Sequence, residues 1–357
     1  MDISENLAEA STLSKEYYLE EGFYQKEKEF LFGDSWQAVG RADLVKNPGD
    51  FFTTEIAGEP LVIARGIDGE LRALSNVCRH RGSLIVDNSG NSKSLQCPYH
   101  AWTYNLKGEL MGAPEFEGVA NWTKKSACLP QYRVEIWGLY VFVNLGKSKL
   151  ELKEVMGEIP NDMQKRGYRW EDYQFLARTQ YIVECNWKVY IDNYLEGYHL
   201  PTVHPNLYKE LDYQSYRVDT FEYYSSQYAP LRPVTSATSE TRRYDPNSGA
   251  KEPLYYWVFP NFLINIYPDN VHLNIILPLG VNKTLTLFDW FSVPGMEGSL
   301  EKTIAFSDQV QKEDLLICER VQKGLQSRDY SRGRYSVKRE NGVHHFHRLL
   351  QKQLGHV

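Results

Sequence analysis

The sequence of 357 residues has no two glycines separated by a single residue and no Walker loop, so it carries neither a G-x-G dinucleotide fingerprint nor a phosphate cradle of that type. Any redox chemistry would take its reducing equivalents from a nicotinamide bound on another protein. Positive charge is not in excess. Lys and Arg number 40 against 46 Asp and Glu, a net charge of −6, which argues against nucleic acid or an acidic membrane surface as the main partner. The longest apolar run, residues 137–143, is far too short to span a bilayer. Cysteine is scarce: five residues at 78, 97, 128, 185 and 318, an odd and scattered set that fits a reducing compartment better than a disulfide framework, with the cytoplasm as the expected location. The acidic first 22 residues have no apolar core, so they read as neither a secretory signal nor an Arg-rich transit peptide.

What is present is an ordinary globular composition, 42% hydrophobic and 24% charged, in a chain long enough for two domains. Residues 1–35 read as an N-terminal helical segment, amphipathic over 5–35. From 36 to 146 the hydrophobic period is two, with short strands expected at 51–56, 61–64, 71–74, 102–106 and 139–143 and turns at Gly58, Gly69 and Gly108 between them, as in a small antiparallel β domain. Residues 147–164 read as a charged helical link into a second domain spanning 147–357. There a strand at 175–185 precedes a helix. Aromatic and polar residues alternate at 223–228, 255–266, 271–277 and 284–293, and a long helix is expected at 300–323. The expected class is α+β: an all-β domain followed by an antiparallel sheet with helices at one side.

Two clusters carry chemistry. Residues 192–204 hold Asp192, Glu196, His199 and His204, two carboxylates and two imidazoles, with Pro201 between the histidines. On a continuous helix Asp192, Glu196 and His199 share a face, whereas five positions rotate His204 by about 500°, so the imidazoles converge only where the helix breaks, and Pro201 is placed to break it. Neutral imidazoles suit iron, copper, zinc or nickel. Taken alone, the stretch is equally a hydrogen-bonded core network or a pair of surface histidines. Upstream, Cys78-Arg-His80 and Cys97-Pro-Tyr-His100 each supply one thiolate and one imidazole, with sixteen residues between them. Zinc fingers pair Cys with Cys and His with His. One of each per loop is what a [2Fe–2S] cluster needs when two cysteines hold one iron and two histidines the other, and this is the favoured reading over structural zinc in an interaction module.

With both motifs in order, the chain from about Trp36 onward resembles the oxygenase component of the Rieske non-haem iron oxygenases. The resemblance implies a Rieske [2Fe–2S] domain, with Cys78, His80, Cys97 and His100 holding the cluster, and a catalytic domain of the helix-grip type. It implies His199 and His204 as ligands of a mononuclear Fe(II). It also implies a late carboxylate that completes a 2-His-1-carboxylate triad. On the expected helix Asp314 is in phase with Val310, Ile317 and Val321, which turns it inward, but phase alone leaves Glu313 open and Asp308 remains a rival. The run Glu313, Asp314, Glu319 resembles the family's local pattern and selects Asp314.

Further implications concern partners. The family usually has an aspartate three residues before the first histidine, bridging to the cluster-bearing domain of a neighbouring subunit. Here the residue is Glu196, with Asp192 in support, and the glutamate is similar to oxygenases that attack quaternary ammonium compounds. The resemblance implies a homotrimer or a multiple of it, because the two metal sites of one chain are expected to lie too far apart. It also implies a separate NAD(P)H-dependent reductase and O₂ with a small-molecule substrate. Monooxygenation of a carnitine, choline or betaine type, with C–N cleavage, is the first expectation, and hydroxylation of an aromatic or heteroaromatic acid the second. The crowded aromatics between Tyr216 and Tyr267 are mostly sheet packing, with several available to cage a methylated ammonium. His272 reads as a satisfied core histidine, and His344, His345 and His347 as surface or interface residues.

Overall fold

In a computed structural model, residues 1–232, 253–267, 270–295 and 300–355 are described. The chain divides into two compact units, Lys28–Leu152 and a second formed by Met1–Glu27 with Lys153–Val357.

The unit Lys28–Leu152 is a seven-stranded antiparallel sheet with spatial order Gln37–Arg41, Tyr140–Asn144, Gln131–Trp137, Leu71–Ser75, Glu59–Arg65, Asp50–Ile56 and Ser89–Asn91. A three-stranded sheet of Ser94–Gln96, Thr103–Asn105 and Leu110–Gly112 accompanies it. The expected strands are all present, shifted by one or two residues. The core joins Val62, Ala64 and Leu74 of the larger sheet to Leu95, Trp102 and Tyr104, and both Cys78 and Cys97 are part of it.

In the second unit the sheet order is Gln174–Val183, Lys283–Ser292, Asn270–Gly280, Phe262–Ile266, Leu254–Val258, Tyr224–Tyr228 and Arg217–Thr220, antiparallel throughout. The run expected as one segment at 255–266 is two strands of a hairpin, turned at residues 259–261. Helices Trp187–Tyr194, Leu300–Leu325 and Asn341–Leu354 pack with it. The last of these was not foreseen. The first 27 residues are tied to this unit: Ile3 N–H donates to Gln351, Thr12 N–H to the Gly333 carbonyl, and Glu27 pairs with Lys188 at 2.5 Å while accepting from the Trp187 indole at 2.9 Å. Glu27 and Lys188 are both buried, so the pair pins the segment to one position rather than adding net stability. Only Glu16–Leu19 and Glu21–Lys26 of the early residues are α-helical, and most of residues 5–15 is irregular. Among the described residues no helix is long and apolar enough to cross a membrane.

Candidate active site

Two loops of identical hydrogen bonding carry the first set of ligands. In each, the cysteine carbonyl accepts from the amide four residues on, Gly82 for Cys78 and Ala101 for Cys97. The cysteine amide in turn donates to the carbonyl five residues on, Ser83 and Trp102. The fourth residue is left-handed in both, with φ of 72° at Gly82 and 58° at Ala101, so the alanine tolerates a strain of about 1–2 kcal/mol to keep the turn. Cys78 and Cys97 are buried, His80 is half-buried and His100 exposed. The two imidazole rings are 4.6 Å apart, and His80 stacks on Trp102 at 4.9 Å. Burial pushes the Cys97 thiol up, but the amides of Tyr99 and His100, with neighbouring Cys78 and Ser83, outweigh it and leave its pKa below the ordinary value. These are the contacts a thiolate ligand needs.

His80 Nδ1 is buried without any hydrogen-bond partner, an orphan that a metal bond would satisfy. One cysteine and one histidine on each loop, with the two imidazoles side by side, favour a two-iron cluster over tetrahedral zinc. Two sulfurs inward and two imidazoles outward fit a two-iron cluster.

The second set lies in the other unit, the trio His199, His204 and Asp314, whose ligand atoms lie within 4.8 Å of one another. The helix carrying Asp192 stops at Tyr194, so Asp192, Glu196 and His199 do not share one helical face as expected. Nor does Pro201 break a helix: it occupies the first turn of the short helix Leu200–Val203, where its missing N–H costs nothing, and the break comes earlier, around Gly197. A Cβ at Gly197 would come within 2.7 Å of the Tyr216 ring, so only glycine passes there. His204 ends that short helix and begins Pro205–Glu210, with φ −118° and ψ 65°.

His204 Nε2 is 2.9 Å and His199 Nε2 3.9 Å from Asp314 Oδ1, while Asn193 donates to the same oxygen at 2.7 Å. The opposite nitrogens are also held. His199 Nδ1 is 2.5 Å from Glu196 Oε1, and His204 Nδ1 is 2.7 Å from Glu313 Oε2. A carboxylate at each Nδ1 can hold a proton there, the arrangement that would let each Nε2 bind a metal. Burial works against a charged His204, but the bond and charge of Asp314, then those of Glu313, raise its pKa above the ordinary histidine value. The donor set suits a 2-His-1-carboxylate iron.

Asp314 is buried as expected, and of its expected companions Val310 and Ile317 are half-buried with it, Val310 lining the same cavity. Val321 departs from the expectation at 44% exposed, and the most buried positions of the helix include Gln311, Cys318 and Gln322. Asp308 pairs with Lys312 and accepts from Tyr181, remote from the trio. Asp192 accepts from Tyr18 at 2.7 Å and from His347 at 2.9 Å, and His347 is held on its other nitrogen by Tyr335 at 2.6 Å. His347 is thus buried within the fold, not on the surface. His272 is buried and hydrogen-bonded to Asn274, as expected, and it also faces the cavity.

That cavity opens onto His199, His204 and Asp314 and is walled by Tyr255, Tyr267 and Trp290 among others. Tyr255 and Tyr267 stand nearly perpendicular, 5.6 Å apart. A second hollow, lined by Asp192, Glu196, His199, Cys318, Glu340 and His347, reaches His199 as well. Burial, then the charges of Glu196 and Asp192, hold the Glu340 carboxyl above its ordinary pKa.

Residues 35–123 match the Rieske [2Fe-2S] domain model and residues 170–356 the ring hydroxylating alpha subunit catalytic domain. Choline monooxygenase, chloroplastic, of Arabidopsis thaliana is 34% identical over 98% of this chain and 84% of that protein. The carnitine monooxygenase oxygenase subunit of Escherichia coli K12 is 30% identical over 97% and 94%. The crystal structure of the quaternary ammonium Rieske monooxygenase CntA with L-carnitine superposes with a TM-score of 0.85 at 28% identity, over 99% of this chain and 98% of that one.

Proposed function

This chain belongs to the family of Rieske ring-hydroxylating oxygenases, and from that membership we propose that it monooxygenates a small quaternary ammonium compound of the choline, carnitine or betaine type. Cys78, His80, Cys97 and His100 would hold the cluster, and His199, His204 and Asp314 the mononuclear iron. When bound, the cluster passes electrons singly, at a potential that neutral histidines raise to about −150 to +300 mV, and the iron activates O₂.

The chain's own residues bind and orient. The observation that carries the substrate class is the cavity wall. Tyr190, Tyr194 and Tyr216 donate their hydroxyls to Gln311, Asn265 and Gln227, so they present ring surface rather than free donors. Tyr255 and Tyr267, the latter also stacked on His272, set aromatic rings into the cavity wall where a trimethylammonium group would sit. Among the described lining residues none is Lys or Arg. One oxygen atom enters at a carbon beside the nitrogen and the other leaves as water with two electrons and two protons. The hydroxylated carbon then expels the amine, and C–N cleavage leaves an aldehyde and a tertiary amine.

Electrons come from an NAD(P)H-dependent reductase in a cytoplasmic setting. Within a homotrimer, Glu196 links the iron of one subunit to the cluster of the next, with Asp192 anchoring the wall beside it. Charge supports this: the hollow holds Asp192, Glu196 and Glu340, and the cluster loops expose Arg79, Arg81 and His100. Titration of the oxidised protein tests the cage without a reductase. Tyr267→Leu should weaken choline binding by about 2–30-fold, the span of a cation–π contact, and leave its uncharged carbon analogue 3,3-dimethylbutanol unaffected. Equal loss for both ligands would remove the cation from the argument.

A further inference from the structure

Glu313 and Asp314 are consecutive on the helix Leu300–Leu325, so their side chains diverge by about 100° around its axis. Both nevertheless meet one imidazole, Asp314 at Nε2 of His204 and Glu313 at Nδ1. We infer that Glu313 is the positioning residue of the His204 ligand, and that the adjacent acids form one device in which Asp314 binds the metal and Glu313 aims and polarises the ring beside it. This rests on the proposed iron-binding role of the trio.

The need for such a residue follows from the backbone. His204 lies at the junction of two short helices, with φ and ψ outside the helical region, so no regular element sets its direction. His199 differs, because its Nδ1 is held from its own loop by Glu196, three residues away. The ring of His204 is held instead from a helix more than a hundred residues on. Glu313 is itself fixed: its other oxygen accepts from Gln309, one turn earlier, at 3.2 Å. An idle glutamate that is 26% exposed would have solvent for a partner, whereas this one makes two directed bonds. With a metal at Nε2 the ring proton would stay on Nδ1, where the Glu313 carboxylate would make the ring a more basic donor.

The test is anaerobic Co(II) binding to protein carrying its cluster but stripped of mononuclear iron, read by the EPR signal of high-spin Co(II) while the oxidised cluster is silent. Glu313→Ala should weaken Co(II) binding by about 10–100-fold and alter the Co(II) signal, with the cluster's visible absorption unchanged. Glu313→Gln keeps an oxygen for the Nδ1 proton and should recover most of the affinity. Wild-type affinity and signal in Glu313→Ala would overturn the inference, as would a Gln variant as weak as the Ala one. Asp314→Ala separates the two levels. If it still binds Co(II) as the wild type does, the iron-site reading fails; if it loses the metal while Glu313→Ala does not, only the role of Glu313 fails.

Discussion

Asp314→Ala is expected to empty the mononuclear site and abolish turnover while the visible spectrum of the cluster stays that of the wild type. Asp314 is the shared point of the trio: its Oδ1 faces both Nε2 atoms and receives Asn193. Alanine removes the only anionic ligand, and two neutral imidazoles cannot balance a divalent ion in a buried pocket. The loss should exceed the roughly 100-fold that outer hydrogen-bond partners cost. Iron analysis should fall from about three irons per chain to two, as expected for a [2Fe–2S] cluster alone. Retained turnover would move the ligand role to another carboxylate, with Glu313 the nearest.

Glu196→Gln has the second largest effect and a different signature. Glu196 accepts from the His199 ring at Nδ1 and from the amides of Tyr198 and His199, and it borders both the cavity and the acidic hollow. Glutamine keeps an acceptor for His199, so both metals should stay bound. It removes the negative charge of the proposed link, so if Glu196 carries electrons across the subunit boundary, reoxidation of the reduced cluster on adding substrate and O₂ slows by about 10–100-fold. Stopped-flow absorption of the cluster measures this directly. An unaltered rate would leave Glu196 as an orienting partner of His199 and nothing more.

How far the sequence could be read follows from what each feature depends on. The ligand motifs are legible because metal chemistry demands given residue types at short spacing: Cys78 with His80 and Cys97 with His100 each lie within one loop, and His199 and His204 flank the single turn Leu200–Val203. The strands were legible from period-two alternation. The inward turn of Asp314 is legible from its phase with Val310 and Ile317, both half-buried, but Val321 is exposed and the helix buries Gln311, Cys318 and Gln322 as well. That stripe is buried by packing against Trp187–Tyr194 and its neighbours, where polar groups find partners, so hydrophobic phase misjudged it: Gln322, for instance, accepts from the Asn186 amide.

The break near Gly197 was assigned to Pro201 because proline is the loudest local signal. The helix already ends at Tyr194, and what requires glycine at 197 is Tyr216, nineteen residues on, which no local pattern reveals. The bonds of Asp192 to Tyr18 and His347 join the two ends of the chain, and that of His204 to Glu313 spans 109 residues. Such long-range partners have no sequence period, which is why His347 read as a surface residue and Glu313 only as a competing ligand.

The central claim is a Rieske oxygenase directed at a quaternary nitrogen, and its most direct test is oxygen consumption by the purified protein with a competent reductase, measured against choline, carnitine, betaines and aromatic acids while aldehyde is quantified. Quaternary ammonium substrates should give uptake matched by about one aldehyde per O₂, and the aromatic acids none. Coupled turnover confined to the aromatic acids would contradict the account.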